Sequence, residues 1–345
     1  MNPTMYFIII SSLATGTIIT MTSHHWLMAW IGLEMNTLAI IPIISMKHHS
    51  RSTEAATKYF LTQAATSAMI LFSSTTNAWY TGTWDITQMS ITTSNTLLTL
   101  ALAMKLGLAP LHFWLPEVLQ GSTMPTAFII TTWQKLAPMS LIFLINNNIS
   151  TTMLLLLGLL SSAVGGWGGL NQTQTRKIMA YSSIAHLGWM ATVTSIMTNI
   201  LILNLTIYLI MTTTMFYSLI LSKSKTIKDT TITWTTSPML TIIMMLTLLS
   251  LGGLPPLTGF MPKWLILEEL TMQNLIPLAT MMALTSLLSL FFYMRLTYTT
   301  TLTLSPNTTM TKHKWRFKPM MPLLPLIIMT PMSMLLLPMT PTLIH

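Results

Sequence analysis

The chain has 345 residues, of which 52% are hydrophobic and 7% are charged, with 16 Lys and Arg against 7 Asp and Glu. This charged fraction is far below that of soluble domains, so the composition indicates a membrane protein. The net charge of +9 comes from basic residues scattered through short segments, without a basic helix or an aromatic platform, which argues against nucleic acid as a partner.

The chain contains no cysteine, which excludes disulfides, iron–sulfur ligation and thiolate metal sites. Its eight histidines show no HExxH or other metal-binding spacing. The sequence therefore predicts neither a metal site nor a redox cofactor on the chain itself.

Windows of about 20 apolar residues, long enough for a helix to cross a bilayer, recur along the chain. Many contain Ser and Thr, whose hydroxyls can bond back to helix carbonyls and so cost little in lipid. The sequence predicts an all-α polytopic membrane protein with about eleven transmembrane helices. In chain order, these are residues 3–22, 25–46, 56–78, 95–117, 123–145, 149–168, 175–196, 199–221, 238–266, 274–295 and 320–341.

The basic residues alternate with the predicted spans, since the even-numbered loops hold thirteen of them and the odd-numbered loops hold none. Lys and Arg collect on the inner side of a membrane, so we expect an inner N-terminus and an outer C-terminus. The last cluster is expected to anchor the final span at the lipid headgroups. The loop residues are Lys47, Arg51, Lys58, Arg176, Lys177, Lys223, Lys225, Lys228, Arg295, Lys312, Lys314, Arg316 and Lys318.

Two segments are similar at an offset of 146 residues: GLAPLHFWLPE at 107–117 and GLPPLTGFMPK at 253–263, with five of eleven positions identical. The predicted orientation makes the two copies antiparallel. Proline removes a backbone donor and clashes with the preceding turn, so both segments are expected to break their helices within the membrane. The predicted breaks are at Gly107 and Pro110, and at Gly253, Pro255 and Pro256.

Paired broken helices in inverted halves are typical of secondary transporters, with the ion site at the breaks. We therefore expect one membrane domain, an inverted-repeat antiporter-like bundle with two broken helices. The alternative is a pair of proline kinks used only for packing. The predicted parts are a truncated first half-repeat at 1–145, an inverted second half-repeat at 149–297, an inner basic loop at 298–319 and a C-terminal span at 320–341.

Glu34, Lys105, Lys135 and Lys263 lie within the predicted spans. A lysine at the bilayer centre costs about 2.5–3.5 kcal/mol on insertion scales, so residues of this kind mark ion paths. An unpaired buried carboxylate attracts a partner, and our hypothesis is that Glu34 pairs with Lys105. Lys135 is the predicted central proton carrier, and Lys263 the onward connection.

Two alternatives stay open for these lysines. Carbonyls freed by Pro138 could satisfy Lys135 without any proton transfer. Lys263 could reach the outer surface, because Glu268 and Glu269 are close to it in sequence.

His112 and His186 are possible relay residues, since histidine can carry a proton at physiological pH. His112 follows Lys105 by seven residues and shares its helical face if the break preserves the helical phase. Either histidine could instead be a core residue with one hydrogen bond. Glu54 and Lys58 have the i, i+4 spacing of a surface helix pair.

Together these motifs resemble the antiporter-like subunit 2 family of mitochondrial NADH:ubiquinone oxidoreductase, respiratory complex I, in its shortened animal form. The resemblance covers essentially the whole chain. It rests on Gly32-Leu33-Glu34, RSTEAATKYF at 51–60, KLGLAPLHFWLPE at 105–117, TWQK at 132–135, RKIMAYSSIAH at 176–186 and LGGLPPLTGF at 251–260.

The resemblance implies a subunit of the membrane arm in the mitochondrial inner membrane, in contact with lipids and with other membrane-arm subunits, including the other antiporter-like ones. It implies a central polar axis for proton translocation formed by the four charged residues, joined by both histidines. It places FMN, iron–sulfur clusters and ubiquinone on other subunits and no cofactor on this chain. The alternative is a cation/proton antiporter subunit with the same fold, and a third possibility is a structural spacer that carries no proton.

Overall fold

The computed structural model describes residues 3–302 and 323–340, and in these ranges the secondary structure is helical apart from turns and two isolated β-bridges. The predicted basic cluster at Lys312, Lys314, Arg316 and Lys318 lies outside the described residues, as do both ends of the predicted last span.

The first compact unit comprises Met1–Ser161 and Ala191–Thr198. Its α1 and α2 cross closely at Gly16 and Gly32, where an added Cβ on Gly32 would lie 2.9 Å from the Gly16 carbonyl oxygen. Small residues permit this approach. On α2, Asn36 is buried and Glu34 is half-buried. The helices are α1 (Pro3–Thr22), α2 (Trp26–Ile44), α3 (Ser50–Thr81), α4 (Thr92–Leu106), α5 (Trp114–Gly121), α6 (Met124–Thr131), α7 (Trp133–Ile145) and the start of α8 (Thr151–Gly169).

The second compact unit comprises Ser162–Met190 and Asn199–His345. Within it α12 packs on α14 and α15, and α15 is tied to the turn before α13 by a 2.5 Å hydrogen bond from Thr258 Oγ1 to the Ser333 carbonyl. The remaining helices are α9 (Thr175–Thr194), α10 (Thr198–Ser222), α11 (Ile227–Thr236), α12 (Pro238–Gly252), α13 (Phe260–Met272), α14 (Ile276–Leu302) and α15 (Leu324–Leu335).

Among residues 3–302 and 323–340, six segments are long and apolar enough to cross a membrane. They confirm the prediction of a helical membrane protein, while the number of eleven spans stays a prediction. The six are Pro3–Thr22, Trp26–Ile44, Met124–Ile145, Thr151–Gly169, Thr198–Ser222 and Ile276–Thr301.

Six of the basic residues assigned to loops lie inside helices, namely Arg51, Lys58, Arg176, Lys177, Lys228 and Arg295. Lys58 is more than two turns into α3, because this helix begins at Ser50 and not at residue 56. Arg295 lies in α14, and its guanidinium donates to the carbonyls of Leu170 and Gln172, just after α8. The predicted spans 56–78 and 274–295 already contained Lys58 and Arg295, although their charges were counted with the loops. A helix continues into polar residues as long as its backbone bonds are satisfied.

Sequence analysis also did not predict α11, a ten-residue helix in the predicted eighth loop. Thr226 and Asp229 form a capping box at its start, with Asp229 Oδ2 accepting from the backbone amides of Lys225 at 2.9 Å and Thr226 at 2.8 Å. Burial alone would raise the pKa of Asp229, but these amide bonds outweigh it and hold the pKa below its ordinary value of 3.8.

Replacing this carboxylate tests the cap. We expect Asp229→Asn to weaken the start of α11 by about 1 kcal/mol at neutral pH, so its first amides exchange with deuterium several-fold faster. A group with a lowered folded-state pKa stabilises above its unfolded pKa and loses that effect as pH falls through the folded value. The difference from the parent protein should therefore shrink below pH 3.8. Lys228→Gln, on the same helix, is the control, and an equal effect of both substitutions would contradict the cap.

Candidate functional site

The helices α4 and α12 end in the same way, at positions 146 residues apart. Gly107 has φ 80° and ψ 37°, and Gly253 has φ 79° and ψ 44°, both in the left-handed region that glycine adopts without strain. In each case the amides of the glycine and of the next residue donate to the carbonyl four residues before the glycine, at 2.9 and 2.9 Å in the first copy and 3.1 and 3.3 Å in the second. This is a Schellman motif, and it ends the helix inside an apolar stretch.

At the end of each of these two helices, a lysine ammonium donates a hydrogen bond to a backbone carbonyl that the helix leaves free. Lys135 Nζ, on α7, donates to the Leu106 carbonyl at 2.5 Å. Lys263 Nζ, on α13, donates to the Gly252 carbonyl at 2.8 Å. The two acceptors are also 146 residues apart, whereas the two lysines come from different positions of the repeat. The equivalent carbonyl therefore binds a lysine from a different helix in each unit. We call this carbonyl, at the end of α4 or α12, the seat of the lysine.

These contacts show which groups the two lysines meet in this structure, while their roles stay predictions. The carbonyl that holds Lys135 belongs to α4, so it is not one freed by Pro138. Lys263 turns to the helix end at Gly252, and within the described chain it forms no ion pair with Glu268 or Glu269.

Glu34 and Lys105 lie near enough to interact electrostatically, but they form no salt bridge within 4.0 Å in the described part of the chain. Glu34 Oε2 and Lys105 Nζ are both buried without a hydrogen-bond partner among the described residues. The predicted direct contact is therefore absent from this structure. When an acidic and a basic side chain stay apart in a buried site, a water molecule can bridge them.

A small cavity joins the two lysines of the first unit. Its volume is about 10 Å³ for the centre of a water-sized sphere, close to what one water molecule needs. Six polar side chains besides Trp114 contribute to its wall, and they come from four different helices. The lining residues are Leu33, Asn36, Tyr59, Gln63, Lys105, Trp114, Gln134, Lys135, Ala137 and Pro138.

Sequence analysis missed the residues that shape this cavity. Trp114 lies under Lys135, whose Nζ is 5.4 Å from the ring centroid, and its indole Nε1 donates to the Met104 carbonyl at 3.0 Å. Gln134 Nε2 donates to the Asn36 carbonyl at 3.4 Å. Both Trp114 and Gln134 stand beside predicted site residues in the motifs, which is the one signal that pointed to them.

His112 does not line this cavity. It lies in the turn between α4 and α5, with Nδ1 3.2 Å from the Pro110 carbonyl oxygen and its ring against Phe113. The assumption that the break preserves helical phase is wrong, because residues 107–113 are not helical and the seven-residue spacing no longer sets a common face.

In the second unit, His186 lies among polar groups that the sequence did not single out. Its Nε2 is 3.5 Å from the Tyr293 hydroxyl, its ring centroid is 5.6 Å from that of Tyr208, and it interacts electrostatically with Lys263. The relay role of His186 stays a prediction. Hydroxyls of Ser182 and Ser183 bond to the two tyrosines.

Glu54 and Lys58 form the expected ion pair at 2.5 Å, and Lys58 also contacts Glu117 of α5 at 2.6 Å. All three side chains are exposed, so this network has little effect on stability. The described residues contain no group of three or more His, Cys, Asp and Glu placed to hold a metal ion.

Comparison with known proteins places the chain in a family. Residues 23–289 match the family model described as NADH:quinone oxidoreductase/Mrp antiporter, TM, and residues 290–344 match NADH dehydrogenase subunit 2 C-terminus. An NADH-ubiquinone oxidoreductase chain 2 from Varanus timorensis is 56% identical over 345 residues, covering 100% of both chains. The chain belongs to the NADH-ubiquinone oxidoreductase chain 2 family.

Solved structures share the fold of this chain. A chain of respiratory complex I from Thermus thermophilus superposes with a TM-score of 0.83 at 25% identity, covering 97% of this chain and 79% of that one. A chain of the Mrp complex from Dietzia sp. DQ12-45-1b gives a TM-score of 0.83 at 14% identity, covering 97% and 75%. The second likeness shows that chain 2 shares an antiporter-like fold.

The seat of Lys263 can be tested at Gly253. An added Cβ there would lie 2.9 Å from Lys263 Nζ, so Gly253→Ala should push the ammonium off the Gly252 carbonyl and lower the protons pumped per NADH oxidised. Gly82→Ala is the matched control, since Gly82 has φ 72° but an added Cβ would meet nothing within 4 Å. Both substitutions carry the left-handed backbone cost of roughly 1–2 kcal/mol. Equal pumping by the two variants in assembled complex would contradict a role for the seat.

Proposed function

We propose that this chain moves protons across the membrane, using Glu34, Lys105, Lys135 and Lys263 as its charged carriers and His186 as a relay. As a member of the chain 2 family it is a membrane subunit of NADH:ubiquinone oxidoreductase. Electron transfer from NADH to quinone in other subunits drives the proton movement. His112 stays a predicted relay, supported by its sequence position alone.

The observation that carries this proposal is the cavity between Lys105 and Lys135. Three lysines in apolar surroundings are costly, and groups of this kind line ion paths. Here two of them meet at one small polar space, with an acidic side chain within electrostatic range of the first. Lysines that only packed the bundle would have no need to share a cavity.

The Leu106 carbonyl gives Lys135 a two-state position. A protonated ammonium makes a charge-assisted bond, roughly twice as strong as one between neutral groups. Protonated Lys135 is therefore held at the helix end of α4, and loss of the proton weakens that bond and frees the amine to turn toward the cavity. The Gly252 carbonyl acts on Lys263 in the same way, within electrostatic range of His186.

The finer architecture belongs to the same proposal. We infer that α4 with α5, and α12 with α13, are each one discontinuous transmembrane helix, giving about eleven spans in two inverted half-repeats, 1–145 and 149–297. The matching helix ends at Gly107 and Gly253 support this interpretation. The N-terminus faces the matrix and the C-terminus the intermembrane space, as the loop charges of a mitochondrial inner-membrane protein predict.

The proposal also covers the surroundings of the chain, and family membership supports it. Its partners are other membrane-arm subunits of the complex, including the other antiporter-like subunits, together with lipids. FMN, iron–sulfur clusters and ubiquinone belong to other subunits of that complex.

The second candidate function is cation/proton antiport, favoured by the fold shared with the Mrp chain. Co-purification separates the two functions. Recovery of the chain with flavin and iron–sulfur proteins supports the oxidoreductase, whereas isolated chain that exchanges sodium for protons in vesicles supports the antiporter.

The central prediction concerns Lys135. Lys135→Met keeps most of the side-chain volume and removes the ionisable amine, and we expect proton pumping by the assembled complex to fall by about tenfold or more. The measurement is proton uptake per NADH oxidised in proteoliposomes, with assembly checked by native electrophoresis. Lys47→Met, at an exposed lysine, is the control and should pump normally. Normal pumping by Lys135→Met would instead support a structural spacer.

A further inference from the structure

Tyr59 is a buried phenol that the mechanism above leaves without a role. It lies on α3 with 1% of its surface exposed, and its hydroxyl has no hydrogen-bond partner among the described residues. Buried polar groups almost always find a partner, in the protein or in ordered water. Tyr59 lines the same cavity as Lys105 and Lys135, so that cavity is where its partner should be sought.

The ring of Tyr59 is fixed by its neighbour. It packs edge-on against Trp114, with ring centroids 5.8 Å apart and an interplanar angle of 63°. Trp114 in turn donates its indole N–H to the Met104 carbonyl and lies under the Lys135 ammonium. Trp114 therefore fixes the position of the Tyr59 ring and also contacts the Lys135 ammonium.

Asn36 has the same unmet requirement. Both its side-chain nitrogen and its side-chain oxygen are buried without a partner in the described protein, as is Lys105 Nζ. All three residues line one cavity that admits about one water molecule, and each has a buried polar group without a partner among the described residues. A buried water typically makes two to four hydrogen bonds, which these groups can supply.

We propose that Tyr59 is a positioning residue that, together with Asn36, holds a water molecule between Lys105 and Lys135 and so connects the two lysines. This inference rests on the proposed proton path. In the transfer, the Lys105 ammonium gives a proton to the water oxygen while the same water gives one of its own protons to the neutral amine of Lys135. The Tyr59 hydroxyl keeps its proton throughout and orients the water. One proton moves, and nothing is oxidised or reduced.

The test uses Tyr59→Phe in the assembled complex, because this change removes the hydroxyl and leaves the ring against Trp114. Tyr80→Phe is the matched control, on the same helix with 78% of Tyr80 exposed. We expect Tyr59→Phe to lower proton pumping about tenfold, the size of effect that loss of positioning produces, while Tyr80→Phe pumps normally. NADH oxidation by an artificial acceptor at the flavin should be unchanged in both.

The ratio of pumping rates in H₂O and D₂O separates positioning from structure. When the water is poorly held, proton transfer limits turnover and the ratio should rise in Tyr59→Phe. A purely structural role would reduce the amount of assembled complex and leave the ratio unchanged. Normal pumping with an unchanged ratio overturns the proposal, and so does slow pumping with an unchanged ratio.

A second measurement applies if Tyr59→Phe does not assemble. A map of the unaltered complex that resolves water should show one within about 2.6–3.2 Å of Tyr59 Oη and of Lys105 Nζ, and a dry cavity overturns the proposal.

The Lys135→Met variant separates the role of Tyr59 from the proton path on which it rests. If it loses pumping while Tyr59→Phe keeps it, the role of Tyr59 is wrong and the proton path stands. If both keep pumping, the path itself is wrong.

Discussion

The arrangement of this protein depends on how a lysine ammonium is satisfied in hydrocarbon. Neither Lys135 nor Lys263 has a carboxylate partner within 4.0 Å in the described chain, and each instead donates to a backbone carbonyl. Such carbonyls are available inside an apolar stretch only where a helix stops, since the ladder of an intact helix uses them. The left-handed glycines that stop α4 and α12 are therefore what makes it possible to bury these amines.

This arrangement also explains an asymmetry in the repeat. The helix ends match to the residue at an offset of 146, yet the lysine comes from α7 in one unit and from α13 in the other. What the repeat preserves is the acceptor, because the acceptor is a consequence of backbone geometry. The donor can come from any nearby element that brings an amine within reach. At the residue aligned with Lys263, the first unit has Glu117, which pairs with the exposed Lys58.

Several, though not all, of the buried polar groups without partners in the described residues belong to one site. Tyr59, Asn36 and Lys105 lie around one small cavity, and Glu34 lies within electrostatic range of Tyr59 and Lys105. In a packed core such groups would be a defect, since each costs about 1–3 kcal/mol when left unmet. In the function proposed above, these groups surround a space for water and connect the two amines. The same residues would then lower stability and support proton transfer.

Local pattern was sufficient for several features, because each depends on residues close together in the chain. Apolar windows located α1 and α2 to within two residues, and Gly107 and Gly253 marked the ends of α4 and α12. The lysines were recognisable because charge in an apolar stretch is costly wherever it occurs. The family followed from the same motifs.

Tertiary structure decided which groups meet. The Lys135 ammonium finds a carbonyl 29 residues earlier in the chain, Tyr293 reaches His186 from 107 residues away, and Glu34 does not close onto Lys105. His112 lost its expected face because the turn after Gly107 reset the helical phase. Side-chain spacing predicts neighbours only along an unbroken helix, whereas contacts between helices depend on packing angles and close approaches, such as that of Gly16 to Gly32, that no local pattern encodes.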